Sequence, residues 1–133
     1  MKRDSMEKQE FDKIIEELNE FEGVEMIYLI NPKAEIIFQY ELTKQEPLEG
    51  HTLKTLIEAW KEKEPSIIFR NQRYAILKSE ELQFAAKNTT EGKGNLCGSI
   101  TKDGDYLIAH ISGETGLSLL EWSVLVNKRA FSI

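Results

Sequence analysis

The chain has 133 residues, 41% hydrophobic and 30% charged, which is the balance of one globular domain spanning 1–133 rather than of a disordered segment. Its formal net charge of -6 disfavours binding to nucleic acids or anionic membranes, because both present negative charge. A single cysteine, the lack of an apolar run of membrane-spanning length and the lack of an apolar stretch near the N-terminus together predict a cytoplasmic protein.

The first predicted element is a helix that begins at a capping box of Asp4 and Glu7 and ends before Gly23. Its apolar residues recur at helical spacing and are Phe11, Ile14, Ile15, Leu18 and Phe21. The other faces carry mostly Glu, Lys and Gln, so we expect this helix to cover a sheet.

A hairpin with strands at 24–30 and 36–40 is predicted next, followed by a short helix that ends before Pro65. The apolar residues of the short helix keep the i, i+3, i+4, i+7 spacing and are Leu53, Leu56, Ile57 and Trp60. Closely spaced strands then follow at 66–69, 73–77, 82–87, 95–101 and 106–111. Strands this close cannot be joined by helical crossovers, so we expect a single antiparallel sheet in an α+β fold.

The last predicted helix runs from near Thr115 to Phe131 and carries apolar residues on two opposite stripes. The first stripe is the expected core face and contains Leu117, Leu120, Val124 and Phe131. The second stripe contains Leu119, Trp122 and Val126. Two interpretations remain open for the second stripe: it packs beside the first helix, or Trp122 anchors an exposed patch that binds a partner.

The side chains that could support catalysis or metal binding are few and scattered. His51 and His110 lack metal-ligand spacing, and the lone Cys97 has no sequence feature that would activate it as a nucleophile. The Gly-rich loop at 89–94 lies between two predicted strands, without the helix N-terminus that a phosphate loop needs. We therefore predict no catalytic, metal or cofactor site, and a protein that acts by binding a partner.

Three segments carry a resemblance to the profilin family. They are Gln72 to Lys78, Phe84 to Asn95 with its Lys-bearing, Gly-rich turn, and Lys102 to Ile111 with its Asp-Gly hairpin. The resemblance implies a profilin-like antiparallel sheet of about seven strands, with the N- and C-terminal helices on one face and the short helix on the other. It also implies a monomeric, cytoskeleton-associated protein without cofactors that binds the barbed-end face of an actin monomer and regulates actin polymerisation.

The actin-binding surface of profilins lies on the later strands and on one side of the C-terminal helix. Carried onto this chain, the resemblance implies a surface made of Arg73, Ile76, Lys78, Lys87, Asn95, Thr115, Gly116, Glu121 and Trp122. In that assignment the basic strand residues meet acidic groups of actin, and Trp122 supplies apolar area.

Other ligands of the family fit this sequence less well. Many profilins bind polyproline between aromatic side chains of the first and last helices, but the segment at 2–6 has no Trp or Tyr, so polyproline binding is not expected. Phosphoinositide binding also occurs in the family, and the acidic composition does not indicate it here. The combination is most similar to divergent archaeal profilins.

Two other module types share part of this element order. A roadblock-type module, a dimeric scaffold of small-GTPase regulators, begins with the same helix, two strands and helix but normally continues with three strands. A longin- or sensor-like domain would need a concave pocket with convergent polar groups, and no sequence pattern marks one.

Overall fold

The structure is a computed structural model that describes residues 6–44, 46–48, 51–88, 94–113 and 116–131. These residues form, in chain order, α1 (Lys8–Leu18), β1 (Val24–Ile30), β2 (Ile36–Glu41), α2 (Thr52–Lys61), β3 (Ser66–Phe69), β4 (Gln72–Ser79), β5 (Gln83–Asn88), β6 (Asn95–Ile100), β7 (Tyr106–Ile111) and α3 (Leu119–Phe131). The helices in this part of the chain are too short or too polar to span a membrane.

The strands form one seven-stranded sheet in the order β2-β1-β7-β6-β5-β4-β3, and each neighbouring pair is antiparallel. This arrangement confirms the predicted α+β fold and its antiparallel sheet. The bounds of β1, β3 and β7 agree with the predicted strands, and those of the others shift by one or two residues. Five strands follow α2, whereas the roadblock alternative expects three.

Helices cover both faces of the sheet, as the apolar strands require. On one face Leu53, Leu56 and Trp60 of α2 pack against Tyr28, Phe84 and Ile108. On the other face Phe11 and Ile14 of α1 and Val126 of α3 pack against Ile27, Leu107 and Ala109. The predicted layering of N- and C-terminal helices on one face and a short helix on the other is thus confirmed.

The helix α1 begins later than predicted. Its first residue is Lys8, and Glu10 Oε1 accepts a hydrogen bond from Glu7 N–H at 3.0 Å, so the capping residues are Glu7 and Glu10. The predicted partner Asp4 lies outside the described residues. The helix ends at Leu18, and Gly23 has a φ of 129°, a backbone conformation that favours glycine just before β1.

The orientation of α3 is opposite to the predicted one. The expected core stripe is wrong, because Leu120 and Val124 are each 55% exposed, whereas Trp122, Val126 and Ala130 are fully buried. Helical spacing reveals two stripes but does not say which of them faces the sheet. The indole of Trp122 is the largest buried side chain, and its burial turns the smaller Leu120 and Val124 toward solvent.

Candidate functional site

The candidate site is the part of the sheet beside α3 that none of the three described helices covers. The helix α3 packs mainly on β5 and β6, so among the described helices none lies over the α3 side of β3 and β4. On β4, Tyr74 and Ile76 belong to the core beneath α2, so the alternating Arg73 points to the α3 side. Its cross-strand neighbour on β3 is Ile68, which is 55% exposed.

A β-bulge in β4 decides which side chains reach this surface. The register with β5 shifts between Ile76 and Lys78, so Leu77 is an extra residue in the strand. Without the bulge, Lys78 would alternate onto the same face as Ile76. With the bulge, Lys78 pairs with Ala85 and lies on the α3 side, as does Lys87 opposite Ala75.

The bulge also separates two residues that the resemblance had placed together. Ile76 is half-buried and packs into the α2-side core, so the structure does not bring it onto the surface that contains Lys78. In this structure Ile76 therefore lies on the face of the sheet opposite to that of the basic residues. The resemblance alone had assigned Ile76 to this surface, and the β4 sequence does not reveal the bulge that puts Lys78 on the other face.

The remaining strand residues of the predicted surface do lie together. Arg73 and Lys87 are exposed, and Lys78 is half-buried with its Nζ 3.6 Å from Glu80 Oε1. Asn95 pairs with Lys87 across β5 and β6 but is only 8% exposed, so its side chain offers little contact area. The result is a short basic strip on β4 and β5, next to the β3 edge of the sheet, in a protein whose net charge is negative.

The start of α3 forms the second border of the site. Gly116 is exposed, and Thr115 lies outside the described residues. Glu121 Oε1 accepts a hydrogen bond from Ser118 N–H at 2.9 Å, and Ser118 Oγ accepts one from Glu121 N–H at 3.2 Å. This capping box fixes the first turn of α3, and hydrogen bonding from the backbone and side chain of Ser118 to the carboxylate holds the pKa of Glu121 below its usual range.

Trp122 does not belong to the surface. It is 0% exposed, and its ring lies edge-on to that of Phe21, with 6.1 Å between the centroids. The hypothesis of an exposed Trp122 patch is therefore wrong, and the alternative interpretation, in which this stripe packs beside the first helix, is confirmed. Sequence reasoning missed Leu120 and Val124, the exposed apolar residues, although their i, i+4 spacing marked them as one stripe.

A second group of polar residues lies between β1, β4 and β7, where Tyr74 and His110 are buried and Glu25 is partly exposed. His110 Nε2 lies 2.9 Å from the Tyr74 hydroxyl, and His110 Nδ1 lies 3.0 Å from Glu25 Oε1. Burial, with a smaller contribution from the charge of Arg70, lowers the pKa of His110 to about 4, so this imidazole is neutral at pH 7. The Tyr74–His110 hydrogen bond links β4 to β7, and the Glu25 carboxylate of β1 lies beside it, so the group has a structural character.

Neither a metal site nor an activated cysteine is formed by the residues that the structure describes. Within them, no three His, Cys, Asp or Glu side chains come together as metal ligands. Cys97 is fully buried, and burial raises the pKa of its thiol to about 12, far from the value of a reactive thiolate.

Comparison with known proteins identifies the family. No family model matches the chain. The chain is 50% identical over 130 residues to Loki profilin-3 of Lokiarchaeum sp. (strain GC14_75), covering 96% of this chain and all of that protein. Its fold is similar to that of LokiProfilin2, solved in complex with rabbit actin, with a TM-score of 0.73 and 22% identity over 94% of this chain and 95% of that one. It is also similar to that of LokiProfilin1, with a TM-score of 0.71 and 24% identity over 93% of this chain and 95% of that one. The chain therefore belongs to the profilin family.

Proposed function

We propose that this chain binds actin monomers at their barbed-end face and thereby regulates actin polymerisation. The observation that carries this proposal is the 50% identity to a profilin over nearly the whole chain. Two proteins with the same fold, LokiProfilin2 and LokiProfilin1, have been solved in complex with rabbit actin. The proposed role is that of a binding protein without catalytic activity, located in the cytoplasm with the actin cytoskeleton.

The proposed contact surface combines the basic strip with the exposed side of α3. Arg73, Lys78 and Lys87 supply positive charge, which complements acidic groups of actin and sets orientation and association rate. Leu120 and Val124 supply the apolar area that the sequence had assigned to Trp122. A surface of this composition, with exposed aliphatic side chains bordered by cations, is suited to a protein partner.

The test is a pyrene-actin polymerisation assay with and without the purified protein. We expect the native protein to lengthen the lag before polymerisation, because bound monomers cannot nucleate filaments. Lys87→Glu reverses a charge on the proposed surface, and we expect it to weaken the effect by about tenfold, equivalent to about 1.4 kcal/mol of binding free energy.

The matched control is Lys54→Glu, which makes the same charge change at an exposed position of α2, on the opposite face of the sheet. We expect this variant to act as the native protein does. An unchanged lag with native protein at concentrations well above those of actin would contradict the proposed function. Equal loss in both variants would contradict the proposed surface and point to a general effect of net charge.

A further inference from the structure

The outer face of α3 forms an apolar groove that none of the described residues covers. The groove has a volume of about 480 Å³ and is lined by Leu117, Leu120, Val124 and Leu125 and by Phe21 from the segment after α1. Leu120 and Val124 are each 55% exposed. Contiguous exposed apolar side chains bordered by charged residues are a common feature of interaction surfaces.

Two opposite charges also lie in this groove. Glu121 and Lys128 both line it, and they are separated by seven residues on one helix. Seven residues correspond to two helical turns and a rise of roughly 10 Å, so both side chains lie on the same side of α3. The groove is therefore apolar, with an anion near the helix start and a cation toward its end.

This charge pattern restricts what can cover the groove. An apolar partner would bury Glu121 and Lys128 without counter-ions, which is unfavourable because neither charge would regain the hydration that it loses. A fitting partner has to present a cation opposite Glu121 and an anion opposite Lys128, two helical turns apart. A second α3 in antiparallel orientation presents this arrangement, because its Lys128 then lies opposite Glu121 and its Glu121 opposite Lys128.

We propose that two copies of this chain associate reversibly through the outer faces of their α3 helices. The two helices are related by a two-fold axis that passes beside Val124 and Leu125, midway between Glu121 and Lys128. The interface is isologous, so each favourable contact occurs twice. Apolar contact between the Val124 and Leu125 side chains of the two copies is enclosed by the two Glu121–Lys128 ion pairs.

The groove is held on a rigid support, which limits the entropy lost on association. Trp122 and Val126 anchor the opposite side of α3 in the core. Arg129 Nη1 lies 2.7 Å from Glu17 Oε2, which ties α3 to α1. The Glu121 carboxylate is positioned by Ser118 in the capping box before any partner arrives.

Self-association through this face does not depend on actin binding. It has a consequence for the proposed actin surface, because Leu120 and Val124 belong to both contacts. The dimer and the actin complex exclude one another, so the monomer is the species that binds actin. The dimer then acts as a reserve that releases monomer when the protein is diluted or when actin is in excess.

The test is the molar mass in solution of the native protein and of two charge reversals. Sedimentation equilibrium over protein concentrations from about 10 μM to about 1 mM covers the affinities expected of a small interface. We expect native protein to show a monomer–dimer equilibrium. Glu121→Lys and Lys128→Glu each place like charges across both symmetric contacts, and we expect each to raise the dimer dissociation constant at least tenfold.

An equimolar mixture of the two variants provides the decisive measurement. In a heterodimer, the variant with lysine at both positions meets the variant with glutamate at both positions, so both contacts become attractive. We expect the mixture to dimerise at least as well as the native protein, while each variant alone stays monomeric. Lys54→Glu on α2 is the control for net charge and should dimerise normally.

Two further variants keep the test valid if loss of the α3 cap destabilises Glu121→Lys. Glu121→Gln keeps an oxygen for the Ser118 N–H but removes the charge, and Val124→Ser reduces the apolar contact beside the two-fold axis. Both should weaken the dimer without lowering the melting temperature. A native protein that stays monomeric at about 1 mM, or single variants that dimerise as the native protein does, would overturn the proposal.

Discussion

The rings of Trp122 and Phe21 are nearly perpendicular, at 79°, and their centroids are 6.1 Å apart. Phe21 lies in the segment that leaves α1, and Trp122 lies in the first turn of α3, so this contact joins the two helices on one face of the sheet. The contact buries the tryptophan completely and turns Leu120 and Val124 outward. The burial of Trp122 therefore determines which side chains of α3 form its exposed surface.

Trp122→Ala is expected to destabilise the protein by about 3–5 kcal/mol, because it removes a fully buried aromatic side chain and leaves a cavity. Leu120→Ser, two residues earlier on the exposed side, should change stability by less than about 0.5 kcal/mol. Urea unfolding followed by circular dichroism measures both free energies. Similar stabilities for the two variants would contradict the orientation of α3 described here.

Gly98→Ala is expected to be destabilising because a Cβ at this position would lie 2.3 Å from Phe84 Cε1 and 2.9 Å from Ile108 Cδ1. The ring of Phe84 cannot easily move away, since it packs against Trp60 with centroids 4.9 Å apart. Overpacking of this kind typically costs about 1–3 kcal/mol. Urea unfolding of Gly98→Ala provides the measurement.

The coupling between Gly98 and Phe84 can be isolated with a second substitution. In a Phe84→Ala background the methyl group of alanine at position 98 no longer meets the ring and has only the Ile108 Cδ1 contact left, so its cost should fall by about 1 kcal/mol. If Gly98→Ala were equally destabilising in both backgrounds, the close approach of Phe84 to the β6 backbone would not be its cause.

Ile76 and Lys78 should respond in opposite ways to the same replacement. Ile76→Ser removes a half-buried apolar side chain from the α2-side core and should lower stability by about 1–2 kcal/mol with little direct effect on actin. Lys78→Ser should leave stability within about 0.5 kcal/mol of native and weaken actin binding severalfold. Unfolding curves and the pyrene-actin lag separate the two effects. Loss of actin binding in well-folded Ile76→Ser would contradict the proposed surface.

The sequence predicted most of the fold because most of its local signals agree. Apolar strands without alternation indicated cover on both faces, and Leu53, Leu56, Ile57 and Trp60 of α2 are buried as their spacing predicts. Short connections excluded parallel strands. The antiparallel sheet follows from these local patterns, which need no information about distant contacts.

The site was less predictable because it depends on two features that tertiary contacts determine, the bulge in β4 and the rotation of α3 about its axis. The bulge at Leu77 is fixed by pairing between β4 and β5, and no residue type in that segment signals it. The rotation of α3 about its axis depends on which of its two apolar stripes packs better in the core. The contact between Phe21 and Trp122, which is distant in sequence, shows that it is the stripe containing Trp122. Both features therefore concern which face a correctly predicted element presents.

Acidification should destabilise the protein through His110. Its pKa is lowered to about 4 in the folded state, against an ordinary value of 6.5, so the unfolded chain binds more protons between these values. The stabilising contribution of neutral His110 is present above pH 6.5 and is lost as the pH falls toward 4. From pH 7 to pH 5 the expected loss is about 2 kcal/mol.

The groups that face His110 modify this dependence without reversing its sign. Burial raises the pKa of Glu25, so the folded state binds a proton more readily at this carboxyl than the unfolded chain does. This contribution offsets part of the loss of stability caused by His110 at the acidic end of the range. Burial raises the pKa of the Tyr74 hydroxyl, which therefore does not ionise between pH 5 and 7. Urea unfolding at pH 5, 6 and 7 measures the slope. His110→Gln should be less stable at pH 7 but show a clearly flatter slope, because it has no imidazole to protonate. An equally steep slope in this variant would assign the pH dependence to other groups.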